Sequence, residues 1–270
     1  MDYGTPEEHG IPAQDVQLPN GIYGWWAPSP DAEVAVLLVH GRSRAAGWMY
    51  PIAAKLWPRT SVMSIDLPGH GKSRSSFVSY GFSESVVVRD AVEYLSKIQR
   101  KPIVVIGISM GGASAIIAQA NYPSARVSGI VTIGTYTDIK SVFVGVCKTL
   151  GMPWAVAKPL LKLAGKIGGF NMKDNRPVDC VQHIRVPFLA VQGDTDELVP
   201  VGSAKKLAKA CTSKQAGYAY YHGLHDEPSN KEMFAFVNDF VLAREAAAEV
   251  ARFQGQMPAE AAPATGVSAS

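Results

Sequence analysis

Apolar residues along the chain fall into short continuous runs separated by longer segments with helical spacing. Val34 to His40 (VAVLLVH) has the length of a buried strand and meets a turn residue at Gly41. Ser61 to Asp66, Ile103 to Gly107, Val127 to Gly134, Pro187 to Gly193 and Ala216 to Tyr221 continue the series. Apolar residues recur with helical spacing over Met49 to Leu56, Phe82 to Ile98, Met110 to Ala120, Ala204 to Ala210 and Lys231 to Val241. This alternation predicts an α/β chain with a mostly parallel sheet and helices on both faces. Before it, DVQLPNGIYGWWAPSP supplies antiparallel strands joined at Asn20-Gly21, a favoured hairpin turn.

Phe82 to Gln99 carries the clearest helical stripe, through Val86, Val87, Ala91, Tyr94, Leu95 and Ile98. Glu84 near its start and Lys97 and Arg100 near its end suit the helix dipole. One region breaks the alternation: about 138–173, where Pro153 and Pro159 interrupt an apolar stretch between two strands. It reads as a small helical cap inserted into a domain spanning 1–252. Lys140, Lys148, Lys158, Lys162, Lys166 and Lys173 lie in it, with no Asp or Glu from Ile139 to Lys173. Such a face attracts an anionic substrate or a membrane surface, or is simply a solvated lysine face. Residues 253–270 are rich in Ala, Pro and Ser and read as a disordered tail.

Composition narrows the functional classes. With 47% hydrophobic and 18% charged residues among 270, the chain is globular. A net charge of +3 is too small for a nucleic-acid footprint. Cys147, Cys180 and Cys211 form no Cys-x-x-Cys pair, which argues against a disulfide framework or a zinc knuckle. With no signal-like N-terminus and no long uncharged apolar run, the expectation is a cytoplasmic protein without a transmembrane segment.

The chemistry concentrates in three loops. Gly107-Ile108-Ser109-Met110-Gly111-Gly112 lies between a strand and a helix, where small flanking residues allow a sharp turn that presents the Ser109 hydroxyl. A serine nucleophile needs a base and a group that orients the base. The loop Gly193 to Pro200 offers Asp196 as the orienting acid, with Asp194 as a turn residue and the exchanged roles as the alternative. The loop after the last strand offers His222 and His225; His225 is the preferred base, and a metal site from His222, His225, Asp226 and Glu227 lacks a familiar spacing.

With these motifs, Leu18 to Leu242 resembles the α/β-hydrolase superfamily of serine esterases and lipases, and most closely its monoacylglycerol-lipase-like and small carboxylesterase members. The resemblance implies the α/β-hydrolase fold, with an oxyanion hole from the backbone N–H groups of Arg42, in His40-Gly41-Arg42, and Met110. It assigns Asp66 to Ser73 to a structural turn, leaving His70 a weak catalytic candidate. It implies no metal or organic cofactor. The candidate pocket comprises Gly41, Arg44, Trp48, Phe143, Leu150 and Trp154; Arg42 and Arg44, beside the oxyanion loop, contact a substrate carboxylate or phosphate or are simply solvated, and Trp48 contacts substrate or packs on the sheet. Phe143, Val146, Leu150, Met152, Trp154 and Leu160 line an acyl pocket or form the cap's own core. The implied partner is a small acyl ester, lipid-like or anionic where the cap meets it. Thioesters, amides, acyl transfer to an alcohol and carbon–carbon bond hydrolysis suit the same residues, and a non-catalytic receptor is the remaining alternative.

Overall fold

The computed structural model describes residues 3–74, 78–167 and 175–253. The predicted tail beyond Phe253 and the last residues of the predicted cap, 168–173, lie outside them. Strands β1 (Gln14–Gln17), β2 (Tyr23–Ala27), β3 (Ala35–Val39), β4 (Ser61–Ile65), β5 (Ile103–Ile108), β6 (Val127–Ile133), β7 (Phe188–Gly193) and β8 (Ala216–Tyr221) form one sheet. Its order is β1-β2-β4-β3-β5-β6-β7-β8. The first two strands pair antiparallel and the rest parallel, so the loops after β3, β5, β7 and β8 emerge along one edge.

Helices α1 (Tyr50–Leu56), α2 (Phe82–Ile98), α3 (Met110–Asn121), α4 (Ile139–Thr149), α5 (Trp154–Ile167), α6 (Pro177–Cys180), α7 (Ser203–Ala210) and α8 (Lys231–Phe253) connect the strands and end the described chain. Central strands are apolar on both sides because both faces are covered. Leu37, Val39, Ile65 and Val105 meet α2, α3 and α7, whereas Val36, Leu38, Val104 and Ile106 meet α1 and α8.

Two expectations are corrected. The buried face of α2 runs through Val87, Val88, Ala91, Val92 and Leu95, while Ile98 is exposed. Val87, Ala91 and Leu95 of the stripe read in sequence are buried and Tyr94 packs on the same core, and Val88 and Val92 widen that face because the helix packs on both the sheet and α3. Glu84 points inward: its carboxylate accepts hydrogen bonds from Ser79 N–H at 2.8 Å, Ser79 Oγ–H at 2.6 Å and Gly81 N–H at 2.8 Å. The cap's core comprises Ile139, Val142 and Phe143, packed with Ala113, Tyr136 and Val199, so Leu150, Met152 and Leu160 stand outside it and exposed. Cys147, on α4, is buried.

Candidate active site

The turn between β5 and α3 is set by close packing. A side chain at Gly107 would collide with the backbone of Gly111, and one at Gly111 with the carbonyls of Val39 and His40. Backbone can therefore approach backbone, and Ser109 sits at φ 52°, ψ −113°, a left-handed conformation that costs a non-glycine residue about 1–3 kcal/mol. Its N–H donates to Ile133 O at 2.7 Å and its carbonyl accepts from Thr135 Oγ–H at 3.2 Å, which hold the turn from β6.

His225 reaches Ser109 from the loop after β8. Its Nε2 lies 3.0 Å from Ser109 Oγ and its Nδ1 lies 2.8 Å from Asp196 Oδ2. A carboxylate oxygen accepts only, so Nδ1 carries the proton and Nε2 accepts from the serine hydroxyl. The Asp196 side chain is fully buried, and its Oδ1 accepts from Leu198 N–H at 2.9 Å and Val199 N–H at 2.8 Å. Asp194 is elsewhere, accepting from Gly223 N–H and facing the largely exposed His222. The structure thus brings together Ser109, Asp196 and His225 and leaves Asp194 and His222 outside.

Gly41 lies against Ser109, with space for a Cβ only 3.4 Å from Ser109 Cβ. The N–H groups of Arg42 and Met110 donate to no acceptor among the described residues. Two histidines hold this loop. His40 donates from Nδ1 to Gly41 O at 2.7 Å and accepts at Nε2 from Leu67 N–H at 2.9 Å. His70 donates to Pro68 O at 2.9 Å and accepts from Ser43 N–H at 3.0 Å, a positioning use the sequence did not reveal. Burial pushes the His40 pKa down to about 3, so the ring is neutral and its tautomer fixed. Asp66 accepts from Ala46 N–H and Lys72 N–H at 2.7 Å each, as a structural turn requires.

The side chains of Arg44 and Trp48, read as pocket candidates, meet at Asp226. Arg44 donates to Asp226 at 2.9 Å and stacks on Trp48, and Trp48 Nε1–H donates to Asp226 at 2.6 Å. These side chains tie the loop after β3 to the residue following His225. No sequence signal pairs residues so far apart. Phe143 lies edge-on to Tyr80, whose ring also lies 5.1 Å from the Arg42 guanidinium. Leu150 is 68% exposed, and Trp154 is half-buried beneath Lys140.

Tyr80 was not singled out by sequence. It is left-handed at φ 57°, like Ser43 and Ser109, and its carbonyl accepts from Tyr136 Oη–H and Asn175 Nδ2–H. Burial raises the Tyr136 pKa well above the usual phenol value, leaving its hydroxyl a donor. Burial also raises the thiol pKa values of Cys180 and Cys211, which makes both poor nucleophiles. Among the described residues no cluster of His, Cys, Asp and Glu suits a metal ion.

The sequence profile of the alpha/beta hydrolase family matches residues 36–262. The chain belongs to that family. Among curated relatives of this α/β-hydrolase, the monoacylglycerol lipase of Mycolicibacterium smegmatis is 24% identical, over 82% of this chain and 91% of that protein. The monoglyceride lipase of Rattus norvegicus is 30% identical, over 74% and 78% respectively. The chain spans 58% of the length of the Bos taurus monoacylglycerol lipase ABHD6, at 27% identity over 72% of this chain. Among solved structures, the Pyrococcus furiosus esterase Pf2001 superposes with a TM-score of 0.71 at 18% identity, over 88% of this chain and 93% of that one. A fold shared at that identity leaves activity to be argued from the site.

Proposed function

We propose that this α/β-hydrolase is a serine hydrolase that cleaves carboxylic esters, with monoacylglycerols and similar small lipid esters as its substrate class. Ser109 is the nucleophile, His225 the general base and Asp196 the group that orients the base. The observation that carries the reading is the hydrogen-bonded line from a strained Ser109 through both His225 nitrogens to a fully buried Asp196. The substrate class rests on the two relatives named as monoacylglycerol lipases or monoglyceride lipases.

His225 Nε2 takes the Ser109 proton as Oγ attacks the ester carbonyl, and Asp196 stabilises the resulting imidazolium. The N–H groups of Arg42 and Met110 receive the negative charge that develops on the carbonyl oxygen; each such donor contributes about 3 kcal/mol in the transition state. His225 then protonates the departing alcohol. A water, deprotonated by the same nitrogen, attacks the acyl-serine and releases the acid.

The test is hydrolysis of p-nitrophenyl esters from acetyl to palmitoyl and of monoacylglycerol, alongside covalent labelling with a fluorophosphonate. The Ser109→Ala variant should lose kcat by about 10⁶-fold and all labelling. Labelling or turnover that survives the substitution removes Ser109 from this role.

A further inference from the structure

The outer face of the cap has no part in this chemistry. On α5, Val156, Leu160 and Leu163 recur at i, i+4 and i+7, and each is more than half exposed. Among its positions whose burial is described, this helix buries Ala157 and Gly165. Val156, Leu160 and Leu163 thus face outward on a helix whose described buried positions are small, the reverse of the ordinary arrangement of a globular surface. Lys158, Lys162 and Lys166 recur at i, i+4 and i+8, all exposed, and run as a second row beside the apolar one. Leu150 just beyond α4, Leu198 on the Asp196 loop and Leu224 beside His225 are exposed as well.

We propose that this face docks on an anionic lipid bilayer. Val156, Leu160 and Leu163 enter the boundary between headgroups and acyl chains, and the lysine row meets lipid phosphates. Charge decides between this occupant and a second copy of the chain. Residues 139–167 contain five lysines and no Asp or Glu. A symmetric dimer through this face would set lysine rows of one sign against each other, whereas an anionic surface complements them. Among the described residues no helix is long and apolar enough to cross a membrane.

The experiment is co-sedimentation of the full chain with vesicles of phosphatidylcholine alone and of phosphatidylcholine with about one-third phosphatidylglycerol. The anionic vesicles should bind at least about tenfold more protein, and added salt should weaken the binding. Two variants are compared: Leu160→Ser with Leu163→Ser, and Lys158→Glu with Lys162→Glu and Lys166→Glu. Each should lose about tenfold or more of that binding while keeping the parental unfolding temperature. The single changes Leu163→Ser and Lys162→Glu report a smaller loss should a multiple variant fail to fold. Equal binding to both vesicles, no binding to either, or variants that bind like the parent overturn the proposal. So does a dimer in sedimentation velocity that Leu160→Ser with Leu163→Ser dissociates. Ester hydrolysis is not part of the readout, so docking and the proposed catalysis succeed or fail separately.

Discussion

Asp196 and His225 are joined by a 2.8 Å hydrogen bond in which the carboxylate has no alternative orientation, because its other oxygen is occupied by the N–H groups of Leu198 and Val199. An asparagine here would either turn an amide N–H₂ toward the imidazole or turn it toward two backbone donors. Asp196→Asn is expected to lower kcat about 10⁴-fold with KM changed only a few-fold, measured by steady-state ester hydrolysis on protein of parental thermal stability. A loss confined to KM would mean that Asp196 does not orient the base.

Asp226 secures the neighbouring position from outside the reacting atoms. Its two oxygens accept from Arg44 and Trp48, both on the segment that follows the proposed oxyanion loop. Asp226→Ala should leave His225 less well placed and lower kcat by about ten- to a hundredfold. Arg44→Ala should have a smaller effect, and the double variant less than the sum of the two. Full additivity in this double-mutant cycle would show that the contact does not connect the loops.

His40 sets a pH dependence of stability. Its pKa is about 3 in the folded chain against an ordinary 6.5, because burial opposes the charged ring. Below about pH 6.5 the unfolded chain takes up a proton that the folded chain refuses, so stability is complete above that pH and declines progressively toward pH 3. At pH 5 the loss from this group is about 2 kcal/mol. Urea unfolding at pH 7 and pH 5 should therefore show His40→Asn to be less stable at neutral pH but less acid-sensitive by about that amount. An unchanged pH dependence would show that His40 does not carry the effect.

Glu84 holds the strained stretch through Tyr80. Removing its carboxylate in Glu84→Ala leaves the N–H groups of Ser79 and Gly81 without their acceptors in a buried setting. The expected destabilisation is about 2–4 kcal/mol, seen as a lower midpoint in urea. Glu84→Gln retains an acceptor and should cost less.

Strand runs, the turn at Ser109 and the loops bearing Asp196 and His225 were legible because each is a local pattern: an apolar run ending in Gly, a carboxylate-rich loop, a histidine after the last strand. The roles of Arg44, Trp48 and Tyr80 were not, because they are fixed by contacts between distant segments. Arg44 looked available to a substrate anion until Asp226, 182 residues later, was seen to occupy it. The α2 face was misread for a related reason: a helix packed against both a sheet and another helix buries a wider arc than one stripe, and Glu84 at its start serves the preceding loop. Leu160 read equally well as pocket or core, since periodicity reports that a residue is apolar without saying what lies opposite it.

Among the described residues β8 is the last strand to be synthesised and closes one edge of the sheet, pairing only with β7. The turn at Ser109 and the loop after β3 belong to strands already paired by residue 133. During synthesis, which proceeds from the N-terminus, the strands that form the Ser109 turn are made before His225. On the roles proposed for Ser109 and His225, a nascent chain gains the capacity to attack an ester only once β8 and the loop after it have docked.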